Sequence, residues 1–148
     1  MKRWAVLCWL MALFVFASPC LAGDSFAIIV NGANPLSGTS EELTGLVARL
    51  FLKQQRDWPD QVPSRVYDRE LESPEHQQFI EQILKMSEGR LSSHWVKMKQ
   101  VSGETPPRVI RSQATLLRFI EKHKGGIGIV NVDEVKRLPT TIKVLFTF

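Results

Sequence analysis

The sequence predicts an α/β layered domain: a mostly parallel sheet flanked by helices. Three observations carry the prediction. Short apolar runs rich in strand formers, at Ser25–Val30, Ile127–Val130 and Thr141–Phe148, read as buried strands. Between them lie stretches whose apolar residues recur at helical spacing behind clear capping signals. The two kinds of segment alternate, which favours a sheet with helices packed on it.

Each element has its own reason. After the first strand, Asn31-Gly32-Ala33-Asn34-Pro35 is a breaker. Thr39 with Glu42 forms a capping box, and Leu43, Leu46, Val47, Leu50 and Phe51 follow on one helical face. Asp57-Trp58-Pro59-Asp60 is a turn, and Pro63 bounds a short strand, Arg65–Tyr67. Ser73 caps the next helix with Pro74 in its first position, where a missing N–H costs nothing. Phe79, Ile80, Ile83 and Leu84 are its buried stripe, and Glu88-Gly89 is its expected end. Leu91, Trp95 and Met98 mark a further helix, stopped at Ser102-Gly103. Thr105-Pro106-Pro107 reads as a rigid extended connector. Ser112 caps a helix carrying Leu116, Leu117 and Ile120, which Gly125-Gly126 closes. Asp133–Lys136 makes one helical turn. The sum is four strands and four or five helices.

The first 22 residues stand apart. Lys2 and Arg3 precede an apolar run from Trp4 to Ala17, and the small residues Cys20 and Ala22 follow two apart. This is the pattern of a secretory signal peptide cut after Ala22, and the run is shorter than the roughly 20 residues of a membrane span. Cleavage leaves one domain, Gly23–Phe148. It removes both cysteines, Cys8 and Cys20, so the domain has no disulfide or Cys-ligated metal. Net charge falls from +4 to +2 with the loss of Lys2 and Arg3. No basic run exceeds two residues, which argues against nucleic acid as a partner.

Little in the chain recommends catalysis. Ser37 has no evident base, and the serines show no nucleophile-elbow motif. His76, His94 and His123 are scattered, lack metal spacing, and read as surface or half-buried helix residues. Glu41 with Glu42 and Asp57 with Asp60 read as capping and turn residues. No cofactor is implied, and the expectation is not an enzyme. Anion binding is better motivated. A helix N-terminus presents free N–H groups, and an arginine beside it can grip an oxyanion through two parallel N–H bonds. Arg69 and Ser73 fit that scheme, whereas Glu75 in the first turn opposes it. At Ser37–Glu42, simple capping is sufficient.

Taken in order, these features resemble a known family. They are the strand ending in Asn31, the capped helix ending near Phe51 with its Trp-Pro-Asp turn, and Arg69-x-x-x-Ser73 opening a helix with Phe79. Trp95, Gly103-Glu-Thr-Pro-Pro107 and Gly125-Gly-Ile-Gly128 follow. Over nearly all of Ser25–Phe148 the chain resembles short members of the substrate-binding protein family of the phosphate-uptake ABC transporter. The resemblance implies a periplasmic-binding-protein-like fold, roughly one lobe in size, and a periplasmic location. It implies that Arg69 and Ser73 fall on the family's phosphate-binding Arg-x-x-x-Ser-Gly-Thr segment. Pro74 and Glu75 replace the Gly and Thr, which removes an N–H and a hydroxyl and adds a negative charge. The family's N-terminal Gly/Ser-rich anion loop is missing.

Two functions follow as expectations. One is an exported, non-catalytic domain that binds a small oxyanion such as phosphate through Arg69 and Ser73, linked to ABC-type uptake. The other is an exported interaction module that has lost the ligand and docks a membrane-bound sensor or transporter. Its contacts would be Trp58, Trp95 or the Pro106-Pro107 edge.

Overall fold

The computed structural model describes residues 25–148; the expected signal segment, residues 1–22, lies outside them. The described chain runs β1 (Phe26–Asn31), α1 (Ser40–Phe51), β2 (Arg65–Asp68), α2 (Pro74–Phe79) and a π-helical turn (Ile80–Leu84). Then come α3 (Glu88–Ser102), β3 (Arg108–Val109), α4 (Gln113–Lys122), β4 (Gly126–Asn131), α5 (Val132–Val135) and β5 (Ile142–Thr147). One five-stranded sheet has the order β3-β2-β4-β1-β5.

The fold is the expected α/β layering, with a mixed sheet. β2 pairs in parallel with β3 and β4, and β1 pairs antiparallel with β4 and β5. Four strands therefore share one direction, and β1 alone runs against them. Strand alternation sends the side chains of β1 to two cores. Phe26, Ile28 and Val30 join the layer of α1, α2 and α3, whereas Ala27 and Ile29 join that of α4 and α5. β5 carries one extra residue opposite Ile28 and Ile29, a bulge that puts Leu145 between the paired Phe146 and Val144.

The helices form where caps and apolar stripes predict. Thr39 and Glu42 make the full capping box of α1, and the five residues of its stripe are buried. Asn31, at the end of β1, donates from Nδ2 to the carbonyls of Ile120 and Glu121 at 2.9 Å each, satisfying the last turn of α4. Gly128 lets α4 approach the sheet, since a Cβ there would lie 2.8 Å from Leu116 Cδ1. Trp58 is core, its Nε1–H donating to the Gly125 carbonyl at 3.0 Å.

Two expectations are corrected. Glu88-Gly89 does not end a helix. The preceding helix stops at Lys85, in the left-handed region, and Ser87 caps α3 by accepting from the Arg90 N–H, so Glu88 and Gly89 open it. The stretch after Pro107 also contains a fifth strand, β3, only two residues long at the sheet edge. Pro106-Pro107 in front of it keeps that edge short, a common guard against strand addition.

Candidate functional site at the carboxyl end of β2

β2 is a topological switch point. The chain leaves it through α2 and α3 to reach β3 on one side, then crosses the other face through α4 to reach β4 on the other side. In open α/β sheets, ligand crevices form outside the carboxyl ends of strands at such points. Asp68 ends β2, and the turn holding Arg69 to Ser73 follows it.

Asp68 is buried, and its Oδ1 accepts the Arg69 backbone N–H at 2.7 Å. The same oxygen lies 3.0 Å from Nδ1 of His76, on α2. Nε2 of that ring lies 3.3 Å from Oε2 of Glu88, the first residue of α3. His76 is only 1% exposed, which corrects the expectation of a surface or half-buried residue. Burial pulls its pKa down. The hydrogen bond and charge of Asp68, then the charge and hydrogen bond of Glu88, outweigh burial and raise it above the ordinary imidazole value. When protonated between these two carboxylates, the ring can donate from both nitrogens.

The structure brings Arg69 and Ser73 to the same turn but gives each an internal task. Arg69 Nη1–H donates to the Ile110 carbonyl at 3.0 Å, and Nη2 lies 3.8 Å from Glu75 Oε1. Its side chain is only 12% exposed. Ser73 is the N-cap of α2: its Oγ accepts the His76 N–H at 3.2 Å, and its own N–H donates to Glu70. Beside the turn lies an open hollow of about 510 Å³ lined by Glu70, Leu71, Glu72, Ser73, Val109 and Arg111. Arg111 is paired there with Glu70 at 2.6 Å. Two carboxylates thus line the hollow, and the Arg69 guanidinium is turned to the Ile110 carbonyl and Glu75.

The next concavity is chemically different. A mostly apolar groove of about 350 Å³ runs between α3 and the Pro106-Pro107 connector, with Asp68, His76 and Glu88 among its lining residues. Leu71, Leu91, Trp95, Val96 and Val109 supply its walls, and three of these are unusually open: Leu71 at 59%, Val96 at 56% and Val109 at 47%. Trp95 and the two prolines, read separately from the sequence as contact residues, meet here; Trp58 does not, being core.

The remaining candidates are structural. His94 Nε2 bonds the Leu52 carbonyl at 3.0 Å, and its ring meets Trp95 edge-on. Glu42 caps Thr39, whose backbone N–H and hydroxyl hold the carboxyl below its usual range, and Asp60 pairs with Lys124. Among the described residues, no cluster of His, Cys, Asp and Glu could hold a metal ion, and no helix is long and apolar enough to cross a membrane.

Neither a protein-family model nor a curated protein sequence matches the chain. Solved structures do. An ABC-type phosphate transport receptor from Vibrio cholerae superposes with a TM-score of 0.60 at 18% identity, over 82% of this chain and 45% of the receptor. PstS from Borrelia burgdorferi gives 0.62 at 10% identity, over 82% of this chain and 46% of that one. The domain therefore shares a fold with part of each of these proteins and spans less than half of their length.

Proposed function

We propose that the chain is a short, exported relative of the phosphate receptors that works as a non-catalytic interaction module. Its groove beside Trp95 docks an apolar segment of a membrane-bound sensor or transporter. One observation carries this reading: Leu71, Val96 and Val109, three of the four exposed large hydrophobics among the described residues, line a single groove. Exposed apolar residues are ordinarily scattered, and a contiguous set marks a contact surface. A photo-crosslinking residue placed at Val96 in cells tests it. The expected result is a discrete adduct with a membrane protein that is absent when the same residue replaces Lys97, on the adjoining face of α3. Equal labelling at both positions, or none, contradicts the reading. Export is checked by the amino terminus of the protein recovered from cells, which should be Gly23.

A second reading keeps the ligand. Arg69 and Ser73 stand at the switch point of a fold shared with phosphate receptors, and a phosphate displacing Glu75 would meet the guanidinium there. Against it, Glu70, Glu72 and Glu75 surround the turn, and each would repel a phosphate by roughly a kcal/mol or more in a partly shielded site.

A further inference from the structure

His76 is the one buried histidine among the described residues, and its two nitrogens face carboxylates of different standing. Asp68, 3.0 Å from Nδ1, has a side chain 7% exposed; Glu88, 3.3 Å from Nε2, has one 51% exposed. These two supply the charges that raise the ring's proton affinity. Other charged groups nearby are Glu75, paired with Arg69 on its own turn, and Lys99, about three turns further along α3 on the groove wall. Pro106, Pro107 and Val109, on the facing wall, bring no charge.

The ring bonds differently in its two protonation states. As an imidazolium it donates to both carboxylates. As a neutral imidazole it keeps one N–H, and its other nitrogen turns a lone pair toward an oxygen that cannot donate. The N–H belongs on Nδ1, because an unmade hydrogen bond costs more at buried Asp68 than at Glu88, which water can reach. Glu88 is then the partner lost, and α3 is lightly held without it. Of the fifteen residues of α3, only Leu91 and Trp95 are buried. Among the described residues, two side-chain hydrogen bonds tie α3 to other elements: Glu88 to His76, and His94 to the Leu52 carbonyl. The same helix carries Leu91, Trp95 and Val96 into the groove wall.

We propose that His76 is a proton-operated latch on the groove. When Nε2 gives its proton to solvent, the ring keeps Asp68, releases Glu88 and frees the first turn of α3, so that the groove holds an apolar occupant less tightly. The latch itself stands on the Asp68–His76–Glu88 geometry. Its effect on binding rests on the docking role proposed above for the groove.

The test follows the purified protein across pH by three readouts. Nitrogen NMR of the histidine rings separates His76 from His94 and His123 and reports which nitrogen holds the proton. The neutral His76 ring should be protonated on Nδ1. Protection of the Leu91 amide, which bonds the Ser87 carbonyl at 3.0 Å in the first turn of α3, should fall through the same midpoint. Affinity for N-phenyl-1-naphthylamine, an apolar dye uncharged in this range, should fall about fivefold or more. Glu88→Gln can accept from an N–H or donate to a bare nitrogen, so it holds the ring in both states. It should remove the pH dependence of both the amide and the dye. Leu71→Asn with Val96→Asn, at two open positions, should weaken the dye at every pH and leave the ring's titration unchanged. A neutral ring protonated on Nε2, a ring that stays charged wherever the fold survives, or an unchanged pH dependence in Glu88→Gln would overturn the latch. A dye that does not bind, or binds the double variant equally, would overturn the docking role of the groove, and the ring and the Leu91 amide would still decide the latch.

Discussion

The Nδ1 atom of His76 sits 3.0 Å from Oδ1 of Asp68, in a site where neither side chain has more than slight access to solvent. The contact joins α2 to the end of β2, and Glu88 ties the same ring to α3. A charged group so placed links folding to pH. The folded pKa of His76 is raised, so its stabilisation is fully present below the unfolded value of about 6.5. It is lost as the pH rises through the higher folded value. Urea unfolding across that range should show falling stability in the wild type and a flatter profile in His76→Gln. His76→Leu should cost about 3 kcal/mol at pH 6, because it leaves the buried Asp68 carboxylate without its charged partner.

Gly125 sets the join between β2 and β4. A Cβ at this position would lie 1.9 Å from the Pro63 carbonyl oxygen, a backbone atom that cannot swing aside. The Gly125 carbonyl also receives both the Arg65 N–H and the Trp58 indole. Gly125→Ala should therefore cost about 3 kcal/mol or more, the upper range for overpacking. Thermal unfolding would check this, with Gly89→Ala as the comparison. Gly89 has open space around it and sits inside α3, so alanine there should be neutral or stabilising.

Adjacent residues on α3 should separate packing from recognition. Trp95 is 9% exposed and belongs to the main core, where its ring approaches Phe51. Trp95→Ala should cost about 3–5 kcal/mol. Val96, open to solvent, should tolerate Asp with a change of about 0.5 kcal/mol while losing the crosslinked partner. Denaturant midpoints and the crosslinking pattern together read both effects.

Much of this architecture is legible in the sequence because it is local. The capping box of α1, the stripe from Leu43 to Phe51 and the Ser73-Pro74 helix start each depend on residues a few positions apart. The Asp68–His76–Glu88 chain is not local. It joins a strand end and two helices across separations of 8 and 12 residues, and no periodicity reports such a meeting. One signal was present: His76, Phe79, Ile80 and Ile83 continue a single helical stripe, and a histidine on an apolar face needs polar partners. β3 escapes notice because two residues behind a double proline carry no strand pattern. The misplaced helix end at Glu88-Gly89 arises from reading the glycine as a stop, when Ser87 was the stronger signal as a cap.

On the proposed reading, Arg69 is spent on the Ile110 carbonyl and Glu75 and is not free for a ligand. Arg69→Ala should lower stability by about 1–2 kcal/mol through the lost charge-assisted bond to a partly buried carbonyl. The most direct test is thermal unfolding of wild type and Arg69→Ala with phosphate or sulfate, against chloride at equal ionic strength. The prediction is that neither anion stabilises either protein. A saturable gain in the wild type, reaching about 2.7 kcal/mol at a hundred times the dissociation constant and absent from Arg69→Ala, would contradict the claim and restore oxyanion binding.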